Sequence, residues 1–180
     1  MDYEDIIRSN GLVPIRILGR GQYGCVYLVY GTEVKIIAVK IFQKEKFNPR
    51  EFDAAFELNR KGLSNIFILR YISSNINWNI PLLKMEYANM QTLNIIAKQH
   101  QITLPSYTLR ALMKQILEGI RVFHTSGLIH RDIKCDNILL HSPSGSGRVY
   151  VKISDFGFAK KDDQTGGQTY LKGTLPYMVY

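Results

Sequence analysis

The chain reads as an α+β protein, a small antiparallel sheet with one helix followed by a mainly helical part. Three observations carry that reading. Ile15-Arg16-Ile17-Leu18, Val26-Tyr27-Leu28-Val29-Tyr30 and Ile36-Ile37-Ala38-Val39-Lys40-Ile41 are β-branched and aromatic runs parted by glycine-containing turns, as in consecutive antiparallel strands. Leu109, Leu112, Met113, Ile116, Leu117, Ile120 and Phe123 recur at three- and four-residue spacing, the apolar stripe of a long helix expected to be core. A polar stretch from His130 to Asn137 then leads into the strand-like runs Asn137-Ile138-Leu139-Leu140 and Val149-Tyr150-Val151-Lys152-Ile153.

Taken in order, the residues up to Pro14 form an irregular or helical approach to the first strand. The turn Gly19-Arg20-Gly21-Gln22-Tyr23-Gly24-Cys25-Val26 has glycines that allow a backbone to approach a phosphate and to adopt positive φ. Dinucleotide-binding folds carry the same Gly-x-Gly-x-x-Gly, but they need a helix after it, and Val26 to Tyr30 is strand-like. A hairpin is therefore expected. Lys40 interrupts an apolar strand, and a buried lysine must find an anion or lose its charge. Arg50 to Lys61 is helical in pattern, with Phe52, Ala55, Phe56 and Asn59 on one face. Strands are expected at Phe67 to Ile72 and Pro81 to Met85. Pro105-Ser106 starts the long helix, and Ser126-Gly127 ends it. His141 to Gly147 is a polar hairpin loop, and Lys160 to Gln168 is charged and glycine-containing, suited to a mobile segment.

Composition narrows the function classes. At 180 residues, 46% hydrophobic and 21% charged, the chain suits one good-sized domain, or a small one plus part of another, and not a disordered segment. No apolar run reaches membrane-spanning length, so no membrane partner is expected. The acidic start Met1-Asp2-Tyr3-Glu4-Asp5 leads to no apolar signal core, which favours a cytoplasmic, or nuclear, location over secretion. A net charge of +8 raises nucleic acid as a partner, but the 23 Lys and Arg are scattered without aromatic interleaving, so none is expected. Cys25 and Cys135 have no metal-binding spacing and read as free thiols.

The chemistry concentrates in His130-Arg131-Asp132-Ile133-Lys134-Cys135-Asp136-Asn137 and Ser154-Asp155-Phe156-Gly157. Transfer of a terminal phosphoryl group needs an acceptor for the hydroxyl proton, hard oxygen ligands for Mg²⁺ and cations against the developing charge. Asp132 suits the first, Asn137 and Asp155 the second, and Lys134 the third. Both segments resemble the catalytic-loop and Asp-Phe-Gly motifs of the protein kinases, and Val26 completes the kinase form of the glycine turn.

The resemblance implies a two-lobe kinase fold, with an N-lobe over residues 1–87 and a partial C-lobe over 88–180. It implies a serine/threonine protein kinase that uses ATP and Mg²⁺ on protein hydroxyls. Lys40 would pair with the nucleotide's α- and β-phosphates and with Glu57 on the following helix. Leu18, Gly19, Gly21, Gly24, Val26, Ala38 and Leu139 would line the nucleotide, with Glu86 and Ala88 as the hinge, Met85 behind the adenine and Thr92 near the ribose. Arg131 would pair with a phosphorylated Thr169 or Tyr170.

Two departures qualify the resemblance. One turn beyond Glu57, where the family places an apolar residue, stands Lys61. Gly173-Thr174-Leu175-Pro176-Tyr177-Met178 resembles the Gly-Thr-Pro-x-Tyr-Met stretch with Leu175 and Pro176 in swapped order, and the family's following Pro-Glu and later helices are absent. The alternative is thus a non-catalytic, nucleotide-binding or interaction fragment of a kinase. On either reading a partner or chaperone is expected to cover the unfinished C-lobe.

Overall fold

The computed structural model describes residues 2–33, 35–63, 65–75, 80–99, 101 and 103–161. In chain order the elements are α1 (Tyr3–Ser9), β1 (Val13–Gly21), β2 (Gly24–Gly31), β3 (Lys35–Phe42), α2 (Arg50–Arg60), β4 (Tyr71–Asn75), β5 (Leu82–Glu86), α3 (Asn94–Ala97), α4 (Ser106–Thr125), β6 (Leu128–Ile129), β7 (Ile138–His141), β8 (Tyr150–Ile153) and β9 (Lys160–Lys161). They fall into two compact units. The chain up to Asn48 with Arg70–Tyr87 forms one, and Pro49–Leu69 with the chain from Ala88 onward forms the other. The chain passes between the units after residues 48, 69 and 87, and residues 49–69, α2 included, group with the second unit.

The first unit is a five-stranded antiparallel sheet in the order β1-β2-β3-β5-β4. Alternation along β2 and β3 sends Cys25, Tyr27, Val29, Ile37, Val39 and Ile41 to one face, where they form a core with Leu82, Leu12 and the two isoleucines of α1, Ile6 and Ile7. Asp2 caps α1 by accepting from the Glu4 amide at 3.1 Å. Val26, Leu28, Ala38 and Lys40 alternate with that set. Lys40 is therefore in register with Val26 on one side and Leu83 on the other.

The expected strand from Phe67 to Ile72 forms further along, as β4 (Tyr71–Asn75). The reason is where its backbone groups go. Leu69 N–H donates to the Ile153 carbonyl and Ile153 N–H donates to the Phe67 carbonyl, both at 2.8 Å, which ties residues 67–69 to β8.

In the second unit α4 buries Leu112, Ile116, Val122 and Phe123. Gly119 lets the helix come close. A Cβ there would stand 2.8 Å from Ile153 Cδ1 and 3.2 Å from the Phe67 carbonyl oxygen. The expectation that the whole apolar stripe is core needs correction. Leu109, Met113 and Leu117 are 52%, 54% and 58% exposed: Met113 and Leu117 are turned away from the buried face of Leu112 and Ile116, and Leu109 sits in the first turn of the helix. A similar correction applies to α2. Phe52 and Ala55 are buried, together with Ala54 and Leu58, while Phe56 is 68% exposed. Among the described residues, no helix is long and apolar enough to cross a membrane.

Candidate active site

The glycine turn closes as a two-residue hairpin, with Gly21 paired to Gly24 around Gln22 and Tyr23. Gly24 is the position that demands glycine. Its φ is +155°, and a Cβ would run into the Ile41 carbonyl of the adjacent strand. Positive φ was expected of this turn generally, but Gly19 and Gly21 do not adopt it, and nothing lies within 4 Å of where their Cβ would be. These two leave the strand bare of side chains, as close approach of a phosphate to the backbone requires. Leu18 and Val26 are half-buried and Ala38 is buried. The Lys40 ammonium stands 5.0 Å from the centroid of the Phe42 ring, two residues along the same strand.

Glu86 ends β5. Its N–H donates to the Arg70 carbonyl at 3.0 Å, and its Oε1 accepts from the Arg70 amide at 2.8 Å. Met85 is buried in β5, and Ala88 is half-buried. From Met90 to Leu93 the backbone is laced to β7. Met90 N–H donates to Leu140, Leu140 N–H to Gln91 and Leu93 N–H to Ile138. This brings Thr92 opposite Leu139, two of the residues expected around a nucleotide.

The catalytic-loop segment is held by its own polar side chains. Asp132 is buried. Its Oδ2 lies 2.9 Å from Lys134 Nζ and accepts from Asn137 Nδ2 at 2.8 Å. The same Asn137 nitrogen donates to the Asp132 carbonyl at 2.9 Å, which leaves Asn137 Oδ1 on the far side of the amide. The Asn137 carbonyl in turn accepts from both the N–H and the Oγ–H of Ser154, each at 2.9 Å. Asp155, next in sequence, is thereby placed beside the loop. Arg131 and Asp155 are both left-handed, with φ of 64° and 62°, and strain of this kind persists only where neighbours over-determine it. Arg131 Nε–H donates to the Phe158 carbonyl at 2.8 Å, linking the two strained turns.

Beneath them lies an aromatic stack. Phe156 is fully buried, 5.1 Å from the Phe123 ring and 5.8 Å from His130. His130 Nδ1 accepts from the Asp132 amide at 3.3 Å, so Nε2 carries the proton that reaches the Ser154 carbonyl at 3.1 Å. Burial pushes the His130 pKa below its ordinary value. Burial also lowers that of the Arg131 guanidinium, with the positive charge of Arg50 adding to the effect.

Glu57 is engaged by basic residues of its own helix end. Its carboxylate accepts from Arg60 at 2.8 and 3.3 Å and pairs with Lys61 at 3.5 Å. The Arg60 hydrogen bonds are the main reason that its pKa sits below the usual carboxylate value. A second glutamate of the same helix, Glu51, is more deeply buried, at 3% exposed. It follows the N-cap Pro49 by two residues, where the positive end of the helix dipole offsets part of the cost of burying a negative charge. One turn beyond it stands the buried, apolar Ala55. Glu57, by contrast, is followed four positions on by the charged Lys61.

Asn137 Oδ1 and the Asp155 carboxylate are hard oxygen donors, and among the described residues no group of three or more His, Cys, Asp or Glu could hold a metal by itself. So small a set fits Mg²⁺, which keeps waters and completes its shell with phosphate oxygens. Gly173 to Met178, Thr169 and Tyr170 lie outside the described residues.

A five-stranded sheet with a glycine turn, and a loop that pairs a buried aspartate with lysine and asparagine beside a second aspartate, are the parts that the kinase resemblance implies. The chain belongs to the protein kinase family: the family model described as a protein kinase domain matches residues 12–179. It is 31% identical over 182 residues to mitogen-activated protein kinase kinase kinase 15 of Mus musculus, covering 99% of this chain and 13% of that protein. It is 31% identical over 177 residues to serine/threonine-protein kinase ATG1c of Arabidopsis thaliana, covering 91% and 22%. With testis-specific serine/threonine-protein kinase 2 of Mus musculus it shares 25% identity over 170 residues, covering 89% and 45%. The chain thus spans less than half the length of these relatives.

Proposed function

We propose that this chain supplies the ATP- and Mg²⁺-binding and catalytic residues of a serine/threonine protein kinase. The observation that carries the reading is the buried Asp132 carboxylate, held at one oxygen by both Lys134 and Asn137. Asp132 takes the proton of the acceptor hydroxyl as the new phosphorus–oxygen bond forms and the bond to ADP breaks. Lys134 offsets charge on the transferring group. Asn137 Oδ1 and Asp155 would hold Mg²⁺, which when bound would screen the phosphate oxygens.

In the sheet unit Leu18, Gly19, Gly21, Gly24, Val26, Ala38 and Glu86 serve the nucleotide, as do Leu139 and Ala88 in the other. Lys40 meets the α- and β-phosphates. Its glutamate partner is proposed to be Glu51, on the strength of that residue's burial and of Ala55 one turn on. Serine/threonine preference is supported by Lys134 two residues after Asp132 and by relatives that bear that name. Arg131, with the neighbouring charge of Arg50, suits a phosphate on Thr169 or Tyr170, and Thr169→Ala with Tyr170→Phe should then lower activity. The two free thiols, Cys25 and Cys135, support a reducing compartment such as the cytoplasm.

The exposed side of α4 favours a further element of the reading, a protein partner or additional chain seated over Leu109, Met113 and Leu117. The test of the main proposal is ligand-linked melting. Saturating Mg-ATP should stabilise the chain by about 2.7 kcal/mol at a hundredfold excess over its Kd. Asp155→Asn should remove the Mg²⁺ dependence. An unaltered melting curve for a folded chain would refute the proposal.

A further inference from the structure

Glu57 and Lys61 stood out in the sequence as a poor match to the expected pattern, and the structure joins them in one chain of contacts. Lys61 is the C-cap that follows Arg60 of α2, and its Nζ–H donates to the Ser126 carbonyl at 2.8 Å. Ser126 is the C-cap that follows Thr125 of α4 and is almost fully buried. A carbonyl at a helix end has no partner within the helix, so a buried one needs a donor from elsewhere. Lys61 is that donor. Its ammonium is steadied from behind by Glu57 at 3.5 Å, and Glu57 is itself fastened by Arg60.

Both ends of this bridge lead to the site. Past Ser126 the chain turns through Gly127, left-handed at φ 70°, into β6 and then directly to His130 and the catalytic loop. At the other end α2 carries Glu51 and packs against the short helical turn Phe156–Phe158, which Asp155 caps. A cation between the ends of α2 and α4 therefore fixes one helix against the segment that carries Asp132. We propose that Lys61, oriented by Glu57, is a positioning residue: it clamps the end of α2 to the end of α4 and so sets the geometry of the catalytic loop and of Asp155. The inference rests on the kinase reading above.

Hydrogen exchange and nucleotide titration of the whole chain test it, with Lys61→Met, Lys61→Arg and Glu57→Gln compared with the parent. The Gly127 amide bonds the His124 carbonyl, and β6 pairs with β9, so exchange there reports the α4 end. Lys61→Met is expected to speed exchange at Gly127 to Ile129 and to weaken Mg-ATP binding about tenfold, the scale on which residues that orient metal ligands act. Binding of ADP in the presence of a chelator should be unchanged. Lys61→Arg should restore both readouts, and Glu57→Gln should weaken Mg-ATP in the same direction, non-additively with Lys61→Met. Unchanged exchange and unchanged Mg-ATP affinity in Lys61→Met would overturn the proposal. So would equal losses of Mg-ATP and chelated ADP with a fall in melting temperature, because those mark a merely structural lysine. Failure of the parent chain to bind Mg-ATP would sink the kinase reading and this role with it, with normal exchange at Gly127 to Ile129 showing that the fault lay there and not in the fold.

Discussion

The catalytic loop and helix α2 both carry charged side chains into buried surroundings, yet they are built in opposite ways. In the loop, Asp132, Lys134 and Asn137 satisfy one another within six positions of sequence, so the motif and its geometry coincide. In α2 the glutamates six residues apart, Glu51 and Glu57, differ in how deeply the packing of the helix buries them. Local polar networks are legible as strings of residue types, whereas the role of a helical carboxylate depends on which face is turned inward.

The sharpest way to break the comparison is to remove the loop's carboxylate. Asp132→Asn should lower phosphate transfer to a generic basic protein by about a thousandfold, within the range for loss of a general base. The melting shift with Mg-ATP should survive. If transfer persists in a kinase preparation that carries this substitution, the loop is not the proton acceptor.

Next in size are packing effects, read by cooperative unfolding. Leu112→Ala on the inner side of α4 should cost about 2–5 kcal/mol, while Leu117→Ala on the outer side should change little. Equal costs would show that the outer side is covered in solution. Gly24→Ala should cost more than about 2 kcal/mol because its Cβ meets a backbone carbonyl that cannot give way, and Gly21→Ala should stay near the ±0.5 kcal/mol of an open surface site.

Within α2, Glu51→Gln should reduce activity more than Glu57→Gln does. The reverse order would return the nucleotide lysine's partner to Glu57.

The smallest effect is a pH dependence. His130 has its folded pKa lowered by burial, so below the ordinary value of about 6.5 the unfolded chain takes up a proton that the folded chain refuses. Its contribution is fully present above that pH and is lost as the pH falls, by at most about 1.4 kcal/mol per pH unit for one proton. Glu57, also lowered, loses its contribution further into the acid range, below its ordinary value of 4.5. In His130→Phe the slope just below pH 6.5 should flatten while the more acidic limb remains. An identical slope in the variant would assign it to another group.

Much of this protein could be read directly from its residues. The glycine hairpin, the strands around Lys40, the long helix from Ser106 and the residue types of the loop from His130 to Asn137 all depend on neighbours in sequence, where periodicity and turn chemistry act. The family followed from those motifs. Tertiary structure alone decided four things. Residues 67–69 spend their hydrogen bonds on β8 and delay β4. Leu109, Met113 and Leu117 lie outside a stripe that looked wholly internal. Glu51, and not Glu57, is the most deeply buried carboxylate of α2. Lys61, an apparent misfit, supplies the donor that a buried helix end lacks. In each case two or more candidate partners were chemically equivalent in the sequence, and the choice fell to whichever backbone or side chain lost its water on folding.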